Sequence, residues 1–183
     1  FKAGDIVSLG FGSDDHDVTW ADPTNGWHHY AFTFNNINNE RRIFIDGIEV
    51  GTTDIAGNTF LGSGNIFVGS SGNGGQFNGD IDELRIWNVT LDEAAIRRNL
   101  ASKLDNSNLP IDSLVAYYRF DDSSNTAIFD LTSSYQLSIN GGTKESSDAS
   151  FGDTSIFSFA DTEISSNEFD EFLKVANVSN PAN

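Results

Sequence analysis

The run RRIFIDGIEVGT, residues 41 to 52, constrains this chain more tightly than any other stretch. Ile43 to Ile45 and Ile48 to Val50 flank Asp46-Gly47, a dipeptide that accepts positive φ at both central positions of a type I′ hairpin turn. Two antiparallel strands are therefore expected here, joined by two residues. WHHYAFTFN, just upstream, supplies another strand. Its alternation sets His28, Tyr30, Phe32 and Phe34 on one face and Trp27, His29, Ala31 and Thr33 on the other.

Further short β segments follow. NIFVGSS and DELRIWN read as strands separated by the Gly-rich SSGNGGQFNG. SLVAYYRF alternates, with Leu114, Ala116, Tyr118 and Phe120 against Val115, Tyr117 and Arg119. IFD and YQLSING read as two more strands. One helix is expected, over about 91–102. Thr90-Leu91-Asp92-Glu93 reads as a capping box, with Val89 and Ala94 placed for a hydrophobic staple and Arg97 and Arg98 late in the helix. Pro110 marks a loop beyond it. From Thr143 the pattern weakens: GTKESSDASFGD is loop chemistry, SIFSFAD a short strand, and NEFDEFLKVANV a helical turn or a linker. The expected class is all-β, an antiparallel two-sheet sandwich with one short helix. Residues 1–142 read as the domain and 143–183 as a C-terminal extension or a linker to a following domain. Phe1 falls where a domain is already under way, so the chain reads as a piece of something longer.

A chain of 183 residues can bury a sizeable core without staples, and it has no cysteine for a disulfide or a thiolate metal site. The 27 acids against 10 bases give a net charge of −17. That balance disfavours nucleic acid and anionic membrane surfaces, which need clustered Lys and Arg. It favours divalent cations as counterions. No apolar run is long enough to span a bilayer.

Two oxygen-rich stretches are candidate sites. GSDDHD offers Asp14, Asp15 and Asp17 beside His16 in what reads as a Gly-flanked loop, hard donors of the kind calcium takes, with a solvated acidic loop as the plainer reading. Trp20 follows closely and is a candidate platform for stacking a sugar, or else a buried aromatic. FDDSSN offers Asp121, Asp122 and Asn125 as a second possible calcium set, against a turn held by Asx-type bonds. His28 and His29 are adjacent on one strand and point to opposite faces, so they do not chelate one metal together.

WHHYAFTF, RRIFIDGIEVG and GQFNGDIDELRIWNVTLDEAAI, in that order, resemble the LamG-like jelly-roll family of the concanavalin A-like lectin/glucanase superfamily. LVAYYRFDDSSNTAIFD resembles a segment that follows, or opens, such domains in secreted bacterial members. The departure is at the front, where family members carry several strands before the WHH motif; here those strands lie upstream or are replaced by 113–140. The resemblance implies a two-sheet jelly roll that binds glycans or protein surfaces, often with calcium, in exported multidomain proteins. The expectation is thus a non-catalytic binding module, secreted or on the cell surface. Its partners would be a glycan or cell-surface protein and neighbouring domains of the same polypeptide. Two alternatives stay open: a structural spacer in an adhesin or filament, and a glycoside hydrolase fragment. Glucanases of this superfamily alternate their acids as E-x-D-x-E or E-x-D-x-x-E. Starting from Asp80, that register meets Asp82 and then Leu84 or Arg85, so no acid/base pair follows. Leu84 and Ile86 are expected in the core, Glu83 and Arg85 paired on the other face, and Trp87 against the helix.

Overall fold

A computed structural model describes residues 5–11, 14–22, 26–57, 64–70, 76–100, 104, 110, 112–121, 124, 126–139 and 141, together with the backbone of four later strands. In chain order the first strands are β1 (Ile6–Phe11), β2 (Asp14–Thr19), β3 (His28–Asn35), β4 (Glu40–Ile45), β5 (Ile48–Ile55), β6 (Gly64–Phe67) and β7 (Asp80–Trp87). Helix α1 (Glu93–Leu100) follows, then β8 (Leu114–Tyr118), β9 (Ala127–Ile128) and β10 (Leu137–Ile139). The later strands are β11 (Thr143–Glu145), β12 (Ile156–Ser158), β13 (Thr162–Ser166) and β14 (Phe172–Ser179).

The fold is all-β, as expected. Its largest sheet runs β11-β12-β7-β14-β3-β4-β5 with β8 also paired to β7, a second runs β6-β13-β10-β9, and β1-β2 form a separate antiparallel ribbon. The Asp46-Gly47 turn has φ of 51° and 77°, the double positive sign of a type I′ turn, and Ile45 pairs with Ile48 across it. NEFDEFLKVANV, expected as a helical turn or a linker, carries a strand in its described part: β14 pairs antiparallel with β3 on one side and β7 on the other. Extended backbone with partners on both edges satisfies donors and acceptors that a linker would leave to water.

Three apolar clusters hold these layers together. Between the two main sheets, Ile81, Leu84 and Ile86 of β7 and Ala116 and Tyr118 of β8 meet Val68, Phe120, Ile128 and Leu137. On the outer face, Trp87, Tyr117, Ala31 and Phe44 pack under Ile96 of α1 and Leu104. The ribbon lies over β3 and β4 through Val7, Val18, Tyr30, Ile43 and Ile45. The large sheet is thus covered on both faces where β7 runs, and Ile81 to Trp87 are all buried.

Bulges correct the expected alternation in two places. Glu83 has φ of 56°, and the pairing of β14 with β7 slips beside it, which puts Asp82 and Glu83 together between the inward Ile81 and Leu84. In β8, Ala116 pairs with Ile86 but Leu114 with Trp87. The extra residue turns Leu114 to the helix side, while Ala116, Tyr118 and Phe120 stay inside as expected.

The helix cap also moves. α1 covers Glu93–Leu100 among the described residues, and its N-cap is Asp92, not Thr90: Asp92 Oδ1 accepts from the Ala95 amide at 2.7 Å. Thr90 instead donates its hydroxyl to the Phe34 carbonyl at 3.0 Å. With the cap at Asp92 the staple pair becomes Leu91 and Ile96, both in the outer cluster. Val89, which the earlier register assigned to the staple, is 39% exposed.

Candidate functional site

At one corner of the molecule the end of β2, the start of β3 and the β4–β5 turn bring an indole, an imidazole and two carboxylates together. Trp20 follows β2 directly, and its amide donates to the Asp5 carbonyl at 2.7 Å, closing the ribbon. The half-buried indole meets the His28 ring edge-on at 4.9 Å between centroids and the Tyr30 ring at 6.0 Å. His28 opens β3 and is buried. Its Nδ1 lies 2.7 Å from Asp46 Oδ2 and its Nε2 2.9 Å from Asp22 Oδ1.

Asp46 is doubly fixed. Its Oδ1 accepts from the His29 amide at 2.9 Å, and its own amide donates to the His29 carbonyl at 2.8 Å. From the helix side, Arg97 Nε donates to the Gly47 carbonyl at 2.9 Å. A Cβ on Gly47 would stand 2.9 Å from Arg97 Cγ, and its φ is +77°, so both space and backbone conformation demand glycine. The Asp22 and Asp46 side chains stay 26% and 49% exposed while His28 between them is at 7%. Burial, then the Asp22 and Asp46 charges, push the Tyr30 hydroxyl well above its ordinary range, so it stays protonated. An aromatic edge with acceptor oxygens at a surface corner suits a hydroxyl-rich ligand.

The acids singled out from the sequence are arranged differently from the expectation. The acids of GSDDHD lie on a strand rather than in a loop: Asp14 to Thr19 form β2, paired residue for residue with β1. Strand alternation then splits the carboxylates, with Asp14, His16 and Val18 inward and Asp15, Asp17 and Thr19 outward. Asp14 Oδ1 meets Arg41 at 3.0 Å and its Oδ2 accepts from the Gly57 amide at 2.6 Å; these two contacts, the amide first, hold its carboxyl below the ordinary range. Arg41, fully buried, also binds Asp54 and the Asp14 carbonyl and lies over the Phe11 ring at 5.4 Å.

His16 is buried under the ribbon, and its Nε2 has no partner among the described residues. Burial lowers its affinity for a proton, with Asp54 opposing more weakly. Asp121 pairs with Arg119, while Asp122 and Asn125 lie outside the described residues. Asp130, beside that second stretch, is spent on the amides of Tyr117, Thr132, Ser134 and Tyr135 and on the Thr132 hydroxyl. Among the described residues no three His, Cys, Asp or Glu side chains group as they would around a metal ion, and two members of the second expected calcium set lie outside those residues.

GDIDELRIWN, the other acid cluster, is committed to the core. Asp82 Oδ1 accepts from the Glu83 amide at 2.8 Å. Glu83 Oε2 takes Arg85 Nη2 at 2.6 Å and the Tyr117 hydroxyl, and Arg85 reaches the Asn99 carbonyl at 2.8 Å. Glu83 and Arg85 share a face as expected, but α1 covers it. The sequence reading did not include Asp22, and it used Asp46 only as a turn residue. The available signal was the shared face of His28 and Tyr30, which turns His28 toward whatever the hairpin tip carries.

Residues 7–97 match a laminin G family model, described as the concanavalin A-like lectin/glucanases superfamily. No curated protein and no solved structure gives a match.

Proposed function

Residues 7–97 belong to the laminin G-like group of the concanavalin A-like lectin/glucanase superfamily, and from that premise we propose a non-catalytic, carbohydrate-binding module of an exported protein. The ligand would be taken at the corner of Trp20, Asp22, His28 and Asp46. The observation that carries this reading is the half-buried indole of Trp20 set edge-on to His28, between two carboxylates that still reach solvent. Laminin G-like domains are generally binding modules, although the superfamily includes glycosidases. A binding role accords with the burial of Asp82 and Glu83 at 2% and 5% exposure, which leaves them no access to a glycosidic bond.

The corner binds, on this reading, without a metal, because Asp14 is turned to Arg41 while Asp15 and Asp17 face the other way. Anionic partners are disfavoured: Arg41, Arg42, Arg85, Arg97 and Arg119 each pair with a carboxylate. Among the described residues no helix is long and apolar enough to cross a membrane. A glycan array with the full chain tests the reading, followed by titration of the best ligand against Trp20→Ala. The expected loss is about tenfold, or about 1.4 kcal/mol. Unchanged affinity in the variant would remove the corner as the site.

A second reading, a structural spacer docking on neighbouring domains, draws on Ile37, Ile55 and Phe129, which are 92%, 59% and 57% exposed. A blank array together with concentration-dependent self-association would put the spacer in place of the lectin.

A further inference from the structure

Four Asn-Gly pairs occur in the chain, at Asn25-Gly26, Asn73-Gly74, Asn78-Gly79 and Asn140-Gly141. Asn78-Gly79 is the one that lies wholly among the described residues, in the short passage from the Gly-rich segment into β7. On one side the Phe77 amide donates to the Gly69 carbonyl at 2.8 Å, and the Phe77 side chain packs against the inner cluster. On the other side Asp80 opens β7 and pairs with Ser158 and Ser179. Asn78 is exposed and Gly79 is buried. Among the described residues neither the Asn78 side chain nor the Gly79 amide is tied by a hydrogen bond. We propose that Asn78 is a self-modification site: the chain closes on its own side chain, sheds ammonia, and leaves aspartate or isoaspartate that loosens the entrance of β7.

The Gly79 nitrogen attacks Asn78 Cγ. The N–Cγ bond forms, the Cγ–Nδ2 bond breaks, and Nδ2 leaves as ammonia with the proton that the Gly79 nitrogen gives up. Water then opens the cyclic imide. Opening at Cγ gives aspartate, and opening at the main-chain carbonyl carbon gives isoaspartate. Water is consumed and ammonia released, with no change of oxidation state and no further reactant. Glycine favours the first step because it has no Cβ to crowd the ring and its backbone turns freely. Other described asparagines lack that neighbour or are held. Asn65 precedes Ile66 and Asn88 precedes Val89, while Asn99 Nδ2 donates to the Ala95 carbonyl at 2.8 Å.

Both products bear on β7. Each adds a carboxylate close in sequence to Asp80 and Asp82, in a chain whose net charge is already −17. Isoaspartate also lengthens the main chain by a methylene, because the chain then runs through Cβ and Cγ. The passage has little slack to absorb it. Phe77 is seated before it, Asp80 is paired after it, and Ile81 is buried in the inner cluster. The added atom shifts either the Phe77 seat or the first pairs of β7. The modification needs no ligand and stands apart from the Trp20 corner.

The test is peptide mapping by mass spectrometry on the full chain, aged in mildly alkaline buffer, both folded and in urea. Isoaspartyl methyltransferase marks the isoaspartate. In the folded chain, conversion at Asn78 is expected to outrun that at Asn65, Asn88 and Asn99 by about tenfold or more, a barrier difference of about 1.4 kcal/mol. The aged chain should also lose urea midpoint, and Asn78→Gln aged alongside should lose less, since it retains only what the other Asn-Gly pairs contribute. Asn78 left intact in the folded chain while it converts in urea overturns the proposal. So does conversion no faster than at Asn88. An equal loss of midpoint in the parent and in Asn78→Gln overturns the effect on β7.

Discussion

Glu83 and Arg85 form an ion pair of 2.6 Å inside the protein, with side chains only 7% and 2% exposed. Tyr117 donates its hydroxyl to the same Glu83 oxygen, and the Arg85 guanidinium lies over the Tyr117 ring at 4.7 Å. On a surface such a pair would be worth 1 kcal/mol or less. Buried, the energetics invert: removing one partner strands the other charge in a medium that cannot solvate it. Glu83→Ala or Arg85→Ala should each destabilise the fold by about 3–5 kcal/mol in denaturant unfolding. Removing both together should cost less than the sum of the single changes, because the stranded charge is then gone.

The cap of α1 gives a smaller and sharper test. Asp92→Ala should cost about 1 kcal/mol, the usual value of an N-cap side chain. Glu93→Ala should cost only the exposed pair with Arg97, about 0.3–0.5 kcal/mol. If Thr90 were the cap and Glu93 its reciprocal partner, the ranking would reverse.

Gly47 resists replacement at the tip of the hairpin. Gly47→Ala places a side chain at φ +77° and against Arg97, and should lower stability by about 1–2 kcal/mol from the backbone alone. Arg97→Ala removes the steric part and leaves the backbone part. A double-mutant cycle on melting curves separates the two.

Acid sensitivity follows from His16 and Asp14. Burial lowers the His16 pKa from 6.5, so on acidification the unfolded chain takes up a proton before the folded one does. Stability should therefore fall as pH drops below about 6.5 and level off below the folded-state value. Asp14 is lowered from 3.8 by the Gly57 amide and Arg41, and adds a second loss as pH falls through and below that point. His16→Leu should flatten the change in urea midpoint between pH 7.5 and 5.5 relative to the parent. Asp14→Asn should leave that interval's slope alone and lower stability wherever Asp14 is ionised, since it removes the charge facing buried Arg41.

The hairpin, the two faces of β3 and the contact of Trp87 with the helix were legible because each rests on a local period or dipeptide. What was not legible depends on partners far along the chain. Asp14 turns inward only because Arg41, 27 residues on, meets it. The period-2 pattern of His16 and Val18 against Asp15 and Asp17 was present in the sequence, but the density of acids made it look like a loop. The bulges at Asp82-Glu83 and Val115 break alternation by one residue, and no residue type announces them. The Thr90 box had the right letters in the wrong register. Asp92 wins because the Thr90 hydroxyl has the Phe34 carbonyl to serve. Of the site, Trp20 was in view while Asp22 was not, since a lone Asp before Pro23 looks like any turn residue.

The inner cluster joins Ile81, Leu84 and Ile86, inside the family match, to Ala116, Tyr118, Phe120, Ile128 and Leu137, beyond its end at residue 97. A recombinant fragment cut at the matched boundary would carry one wall of that cluster and leave it wet. Each large aliphatic side chain so exposed forfeits about 1.5–3 kcal/mol. The foldable unit is set by where the apolar wall closes, and here it closes no earlier than Leu137.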